Sequence, residues 1–255
     1  MLFSFSILTI SLIALIGARA VIAAHLQGIT YLLSGHRRIG LFLYSLLFLP
    51  GIIIHELSHF FMAGFLGVRT GEITIFPSGK TESGAERLGS VQIATTDIVR
   101  SSLIGIAPLF VGSISIIALT KWQFPQLLDS ILAIQGVLNE LVIEGRQIIA
   151  VPLNFIWIYL IFAISNTMFA SDSDRRSWPA MVLVLLIIGI FLAWVGVSPT
   201  ILSKLHQPLS AGINILNAAF LLTLVIDVVV LGVLLLIEVL ITRILRKKVS
   251  YHPGL

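Results

Sequence analysis

The stretch Ile54-His55-Glu56-Leu57-Ser58-His59-Phe60 contains an H-E-x-x-H pattern and lies inside a long apolar run. On a helix, residues four apart share one face, so His55 and His59 are placed to hold one metal ion together. Glu56 lies beside them, where a general base must be. Ionisable groups at membrane depth are costly and usually functional. The stretch therefore predicts a hydrated zinc site in a membrane helix, and with it hydrolysis of peptide bonds in or beside the bilayer.

The composition predicts an integral membrane protein. Of 255 residues, 57% are hydrophobic and only 11% are charged, whereas soluble domains carry roughly a quarter charged residues. The mean hydropathy is +1.05. The absence of cysteine excludes disulfides and thiolate metal ligands. The net charge of +4 fits the Lys and Arg bias of cytoplasmic loops. We therefore expect the lipid bilayer as a partner and no nucleic acid.

Six apolar runs have the length of about 20 residues that a helix needs to cross the bilayer. They cover about 3–24, 40–66, 99–120, 152–170, 178–197 and 216–242. The predicted fold class is an all-α polytopic membrane protein with about six transmembrane helices and a small cytoplasmic-side β-hairpin. No repeat or low-complexity linker divides the chain, so residues 1–255 are predicted to form a single membrane domain.

The distribution of Lys and Arg predicts the orientation. A basic cluster after the last run places the C-terminus in the cytoplasm, and six spans then place the N-terminus there too. This cluster consists of Arg243, Arg246, Lys247 and Lys248. Arg37 and Arg38 fall on the opposite side and are the evidence against this orientation. The expected location is a multi-pass position in a bacterial cell membrane or an organellar membrane.

Two segments outside the apolar runs have patterns of their own. Residues 72–76 and 90–94 resemble short strands joined by a Gly- and charge-rich stretch, which predicts the β-hairpin at the cytoplasmic boundary. Its second strand is placed either to bind an unwound substrate segment by β-addition or only to plug the cavity. Residues 126–149 mix apolar and charged positions and are predicted to lie along the opposite surface.

A catalytic zinc needs a third protein ligand and an open position for water. Asp172 and Asp174 follow the fourth apolar run, on the side where the second run ends. Asp174 is therefore the predicted third ligand, with Asp172 as the alternative. Asp174 also fits a helix cap or a counter-charge to Arg175 and Arg176.

Three further polar residues lie at membrane depth. Asn166 is predicted either to donate to the oxyanion of the reaction or to form an interhelical hydrogen bond. Glu238 is expected to extend toward Arg243. Asp227 is expected to face protein or water and to pair with a polar group of its own helix or a neighbouring one, such as Asn217.

The second apolar run, with its H-E-x-x-H followed by Gly64 and Gly67, resembles the active-site helix of site-2-protease-type intramembrane zinc metalloproteases. The resemblance covers about residues 40–176. It continues in Gly89-Ser90-Val91, in Ala107-Pro108-Leu109, and in Ser165-Asn166-Thr167-Met168 running into Ser171-Asp172-Ser173-Asp174.

This resemblance implies a zinc-protease core over about 40–176, with accessory helices over 1–39 and 177–255. It implies Zn²⁺ as cofactor and, as substrate, a membrane protein with an unwound transmembrane segment. An aspartate from a later core helix completes the zinc site in that family, which by position implies Asp174 and, after it, Asp172. The chain lacks the family's Asn-Pro-x-Asp-Gly and Leu-Asp-Gly settings and an inserted PDZ-like domain, so it resembles a compact or divergent member.

Two other functions remain open at the level of the sequence. CAAX-processing-type membrane zinc proteases use a glutamate from a later helix as third ligand, for which Glu238 is the candidate here. A catalytically inactive, protease-like scaffold or assembly subunit would keep the fold and act through a membrane-protein complex partner. Function that survives Glu56→Gln would favour this second alternative.

Overall fold

The computed structural model describes residues 2–76, 89–126, 150–169 and 199–246, with a few positions between 171 and 191. In this part of the chain, helices dominate and one small antiparallel sheet is present. The helices are α1 (Leu2–Ser34), α2 (Arg37–Leu47), α3 (Leu49–Phe65), α4 (Ile98–Gln123), α5 (Asn154–Thr167) and α6 (Pro199–Leu245). The strands are β1 (Thr70–Thr74) and β2 (Ser90–Ile93).

Three of the described helices are long and apolar enough to cross a membrane, and α2 with α3 makes a fourth span if this bent pair counts as one. The three segments are Phe3–Ser34, Ile98–Gln123 and Pro208–Leu245. Helix α5 is apolar but has only 14 residues. Most of the predicted run 178–197 lies outside the described residues. The described part of the chain thus fits a membrane protein but does not reproduce the predicted count of six spans.

The predicted run 40–66 is not one straight span, because α2 and α3 meet at an angle of 73°. The break falls at Phe48, and Pro50 lies in the first turn of α3, where its missing N–H is tolerated. The Tyr159 hydroxyl donates to the carbonyl oxygen of Leu47 over 2.8 Å, so a carbonyl freed by the break has a partner. Phe48 is buried between the rings of Tyr44 and Phe162, which fixes the bend.

A Schellman motif ends α3 and turns the chain toward the sheet. The Val68 N–H donates to the Ala63 carbonyl over 2.8 Å, and the Gly67 N–H donates to the Gly64 carbonyl over 3.1 Å. Gly67 has a φ of +68°, a conformation that favours glycine. Ala63 and Val68 pack together with Ile104 of α4, and this apolar contact ties the turn to the neighbouring helix.

The predicted β-hairpin is present, with β1 starting earlier than expected, at Thr70. The two strands are antiparallel, with Thr74 opposite Ser90 and Thr70 opposite Ile93. An irregularity lies between Thr70 and Ile73. The connecting residues 77–88 and the predicted amphipathic segment 127–149 lie outside the described residues.

The helices pack in two groups that share a core. Helix α1 packs along α6 and α2, while α3, α4 and α5 pack against one another. Two apolar clusters join these groups: one combines α1, α4, α5 and α6, and the other adds the bend at Phe48. A β-carbon on Gly51 would overlap the Thr167 side chain and the Ala163 carbonyl, so α3 and α5 approach each other closely one turn before His55. This close approach determines where the end of α5 lies.

Candidate metal centre

His55, His59 and Asp174 converge, and each offers one ligand atom within 4.8 Å of the others. The two Nε2 atoms of the histidines lie 3.2 Å apart. Asp174 Oδ1 lies 3.4 Å from Nε2 of His59, and Oδ2 lies 3.7 Å from Nε2 of His55. The helical spacing thus places both imidazoles on one face, as the sequence predicts, and Asp174 joins them from more than a hundred residues away. This group could hold a metal ion.

Backbone carbonyls fix the orientation of both imidazoles. Nδ1 of His55 lies 2.7 Å from the Thr167 carbonyl oxygen of α5, and Nδ1 of His59 lies 2.9 Å from the Ile104 carbonyl oxygen of α4. A carbonyl oxygen only accepts, so each Nδ1 carries the hydrogen and a neutral ring has its free electron pair on Nε2. Metal-binding histidines typically donate their second nitrogen in this way. Both free electron pairs therefore face the Asp174 carboxylate.

Ser171 holds Asp174 through a capping box. The Ser171 N–H and hydroxyl both donate to Asp174 Oδ2, over 2.7 and 2.6 Å, and the Asp174 N–H lies 3.4 Å from the Ser171 oxygen. This is the reciprocal Ser-x-x-acid arrangement of a helix N-terminus. Burial raises the pKa of the Asp174 carboxyl. Without a metal ion, hydrogen bonds from the protonated imidazoles of His55 and His59, together with those from Ser171, lower it more, so this pKa lies below its usual range. The group is ionised at neutral pH and Oδ1 remains turned to the imidazoles.

Glu56 is buried in α3, with 6% of its surface exposed, next to the candidate ligand His55. The residue that precedes β2, Gly89, packs directly on this side chain. A β-carbon on Gly89 would lie 2.7 Å from Glu56 Oε1 and 2.9 Å from Cγ2 of Ile52. The hairpin therefore covers the carboxylate of Glu56 with bare backbone.

Asn166 forms the interhelical hydrogen bond that was one of its two predicted roles. Its Nδ2 donates to Asp227 Oδ1 of α6 over 2.8 Å and to the Phe162 carbonyl over 3.1 Å. Both amide hydrogens are thus engaged, and in this arrangement none is free for an oxyanion. Asp227 thus faces protein and pairs with a polar group of a neighbouring helix, as predicted. Asn217, the example named for such a partner, donates instead to the Ser4 carbonyl of α1.

Glu238 forms a hydrogen-bonded pair with His25 of α1, a partner that the sequence analysis did not name. This contact joins the first and the last described helices. It also engages the residue that the CAAX-type alternative needs as a metal ligand. Asp172, the alternative third ligand, lies outside the described residues.

Several residues of the site were not singled out from the sequence. The carbonyls of Thr167 and Ile104, which orient the two imidazoles, are backbone groups, and their position has no signature in the sequence. Gly51 and Gly89 are needed for close approach, and an isolated glycine does not reveal what approaches it. Ser171 is different, since the pattern Ser171-x-x-Asp174 is itself a capping-box signal.

Comparisons of the chain with protein-family models, with curated proteins and with solved structures find no match.

Proposed function

We propose that this chain is an intramembrane zinc metalloprotease that hydrolyses peptide bonds of membrane-associated protein substrates near the cytoplasmic face. The observation that carries the proposal is the convergence of His55 and His59 with Asp174, next to the buried carboxylate of Glu56. These residues supply three metal ligands and a base within one short helix and one loop. The three ligands leave a tetrahedral ion one position for water.

The distances between the ligand atoms are compatible with one bound metal ion such as zinc. Zinc binds imidazole nitrogen at about 2.0–2.1 Å, so two ligand atoms of a tetrahedral ion lie about 3.3 Å apart. The two Nε2 atoms lie 3.2 Å apart, and each lies 3.4 or 3.7 Å from one oxygen of Asp174, which is near this separation. Two imidazoles with a carboxylate are also a donor set of catalytic zinc proteases.

Glu56 supplies the proton transfer in this proposal. A zinc ion held by His55, His59 and Asp174 would supply Lewis-acid chemistry to a water and to the scissile carbonyl. Glu56 accepts a proton from the attacking water and later gives it to the leaving amine. Because the hairpin covers Glu56, bulk water is kept from one side of the carboxylate, and its proton stays available for the leaving group.

Strand β2 supports the binding of an unwound substrate. A transmembrane helix hides its amides in its own hydrogen bonds and must open before hydrolysis. The Ala94 N–H donates to the Arg69 carbonyl beside β1, and backbone groups alternate along a strand. The N–H groups of Val91 and Ile93 therefore point away from β1, where they can pair with an extended substrate.

The first test is zinc content and peptide cleavage measured on the same purified preparations. Wild type, Asp174→Ala and Glu56→Gln are prepared in detergent, their zinc is measured by elemental analysis, and cleavage of synthetic single-span peptides in proteoliposomes is followed by mass spectrometry. Wild type should hold about one zinc per chain and cut. Asp174→Ala should lose most zinc, and Glu56→Gln should keep zinc and stop cutting.

Each contrary result has a definite meaning. A Glu56→Gln protein that cuts like wild type removes Glu56 as the base. Wild type that takes up no zinc after reloading removes the metal centre. Zinc-loaded wild type that cuts no peptide favours the inactive, protease-like scaffold.

A further inference from the structure

The end of α5 is held by three different helices through three consecutive residues. Asn166 bonds to Asp227 of α6, Thr167 contacts His55 and Gly51 of α3, and Met168 packs on α4. A β-carbon on Gly112 of α4 would lie 2.5 Å from Cβ of Met168. All three residues are buried. A displacement of this segment therefore changes contacts on every side at once.

The middle residue of the three acts on the metal centre directly. The Thr167 carbonyl accepts the Nδ1 hydrogen of His55 and so fixes which way Nε2 points. The backbone contact at Gly51 leaves no space for α5 to move toward α3. Contacts with the other neighbours of α5 must therefore prevent it from rotating or moving away from α3.

Asp227 is the polar neighbour on that other side. It is only 2% exposed and lies within the apolar part of α6, 61 positions from Asn166. A carboxyl group at membrane depth is costly unless it is paired. The Asn166 amide is its partner, and removal of either group leaves the other buried without its hydrogen bond. The contact therefore favours one rotation of α5 over the others.

We propose that Asp227 is a positioning residue of the metal centre. Through Asn166, it holds the end of α5 where the Thr167 carbonyl orients His55 for the metal. The inference rests on the metal centre of the proposed function, and it does not require that the protein cut peptides. The same inference makes Asn166 a positioning residue and not a donor to the oxyanion.

The test compares Asp227→Leu and Asp227→Asn with a matched control in the same helix. Leucine has the same number of side-chain heavy atoms and the same branching as aspartate and removes the acceptor, whereas asparagine keeps an acceptor oxygen for Asn166. The control is Asn217→Leu, which removes another buried polar contact of α6, the one to Ser4 of α1. Its expected zinc affinity is that of wild type, because Ser4 lies on no helix that carries a ligand.

The readouts are zinc affinity, from competition with a chelator, and the visible absorption spectrum of the cobalt-substituted protein. Loss of partners behind a ligand typically weakens metal binding 10–100-fold. Asp227→Leu should weaken zinc binding about 10-fold and change the cobalt spectrum, while Asp227→Asn restores both. A merely structural role would affect Asn217→Leu in the same way as Asp227→Leu.

Wild-type zinc affinity and an unchanged cobalt spectrum in Asp227→Leu would overturn the inference. If that variant does not elute as a single species in detergent, Asn166→Ala replaces it, since alanine favours the helix and removes the other half of the pair. Asn166→Ala should show the same weakening, and wild-type affinity there overturns the inference too. Wild type without metal would instead contradict the metal centre itself.

Discussion

A β-carbon on Gly89 would lie 2.7 Å from Oε1 of Glu56. The hairpin and the H-E-x-x-H helix therefore meet at a point where only a hydrogen atom fits. The contact lies on the carboxylate that the proposed chemistry uses, whereas the three candidate metal ligands are held by α4, α5 and Ser171. Under the proposed function, metal binding and proton transfer would thus depend on different parts of the chain.

Gly89→Ala should separate these two functions. The added methyl group displaces the Glu56 carboxylate or the hairpin, and we expect cleavage to fall at least about 10-fold, because proton transfer contributes about 10²–10⁴-fold to such rates. Zinc content should stay at the wild-type level. Gly64→Ala is the control, since a β-carbon on Gly64 meets nothing within 4 Å. Equal loss of activity in both variants would mean that Gly89 has no special relation to Glu56.

Ser171→Ala should weaken zinc binding while Glu56 is untouched. The variant removes the hydroxyl that donates to Asp174 Oδ2 over 2.6 Å, so the carboxylate loses one of the groups that orient it. We expect a fall in zinc affinity of about 10-fold, measured by chelator competition. Ser115→Ala, whose hydroxyl bonds only within its own helix, is the control. Unchanged affinity in Ser171→Ala would show that the carboxylate orients itself without the capping box.

Val91→Pro tests the substrate edge of β2. Proline removes the Val91 N–H, which points away from β1, and leaves the hydrogen bonds of the hairpin in place. Cleavage should slow while zinc is retained. Val91→Ala keeps the N–H and should cut like wild type. Position 92 is unsuitable for this test, because its N–H faces β1 and its side chain packs on Gly71. Equal rates for the proline and alanine variants would refute the clamp.

Zinc affinity should fall as the pH falls from 8 to 5. The pKa of Asp174 lies below its usual range, so the carboxylate stays ionised over this window and adds no pH dependence. Protons compete with the metal for the two imidazoles, and free imidazole titrates near about pH 6.5. At the acidic end of this range, the zinc affinity should become inversely proportional to the square of the proton concentration. A flat profile from chelator competition would exclude two histidine ligands.

The convergence of His55, His59 and Asp174 could be predicted from the sequence because the signals of these residues are local or topological. His55 and His59 follow from helical spacing, and Asp174 from the side of the membrane on which a later run ends. The bend at Phe48 could not be read from hydropathy, since the run is apolar on both sides of the break, although Pro50-Gly51 is a local sign of interruption. The particular partners of Asp227 and Glu238, which are Asn166 and His25, could not be named from the sequence because both contacts are tertiary, 61 and 213 positions away. Polar residues at membrane depth indicate that a partner exists, but their spacing does not say which one.

The lengths of α3 and α5 have a consequence for the membrane itself. With 17 and 14 residues, they are about 25 and 21 Å long, while the hydrocarbon core is about 30 Å thick. A bilayer responds to such hydrophobic mismatch by thinning around the short helices. If both helices lie in the bilayer, we expect headgroups and water to reach closer to the candidate metal centre than they would in an undeformed bilayer. Cleavage should accordingly slow, with zinc retained, when the protein is reconstituted in lipids of longer acyl chains, so that the lipid controls the supply of the water that the reaction consumes.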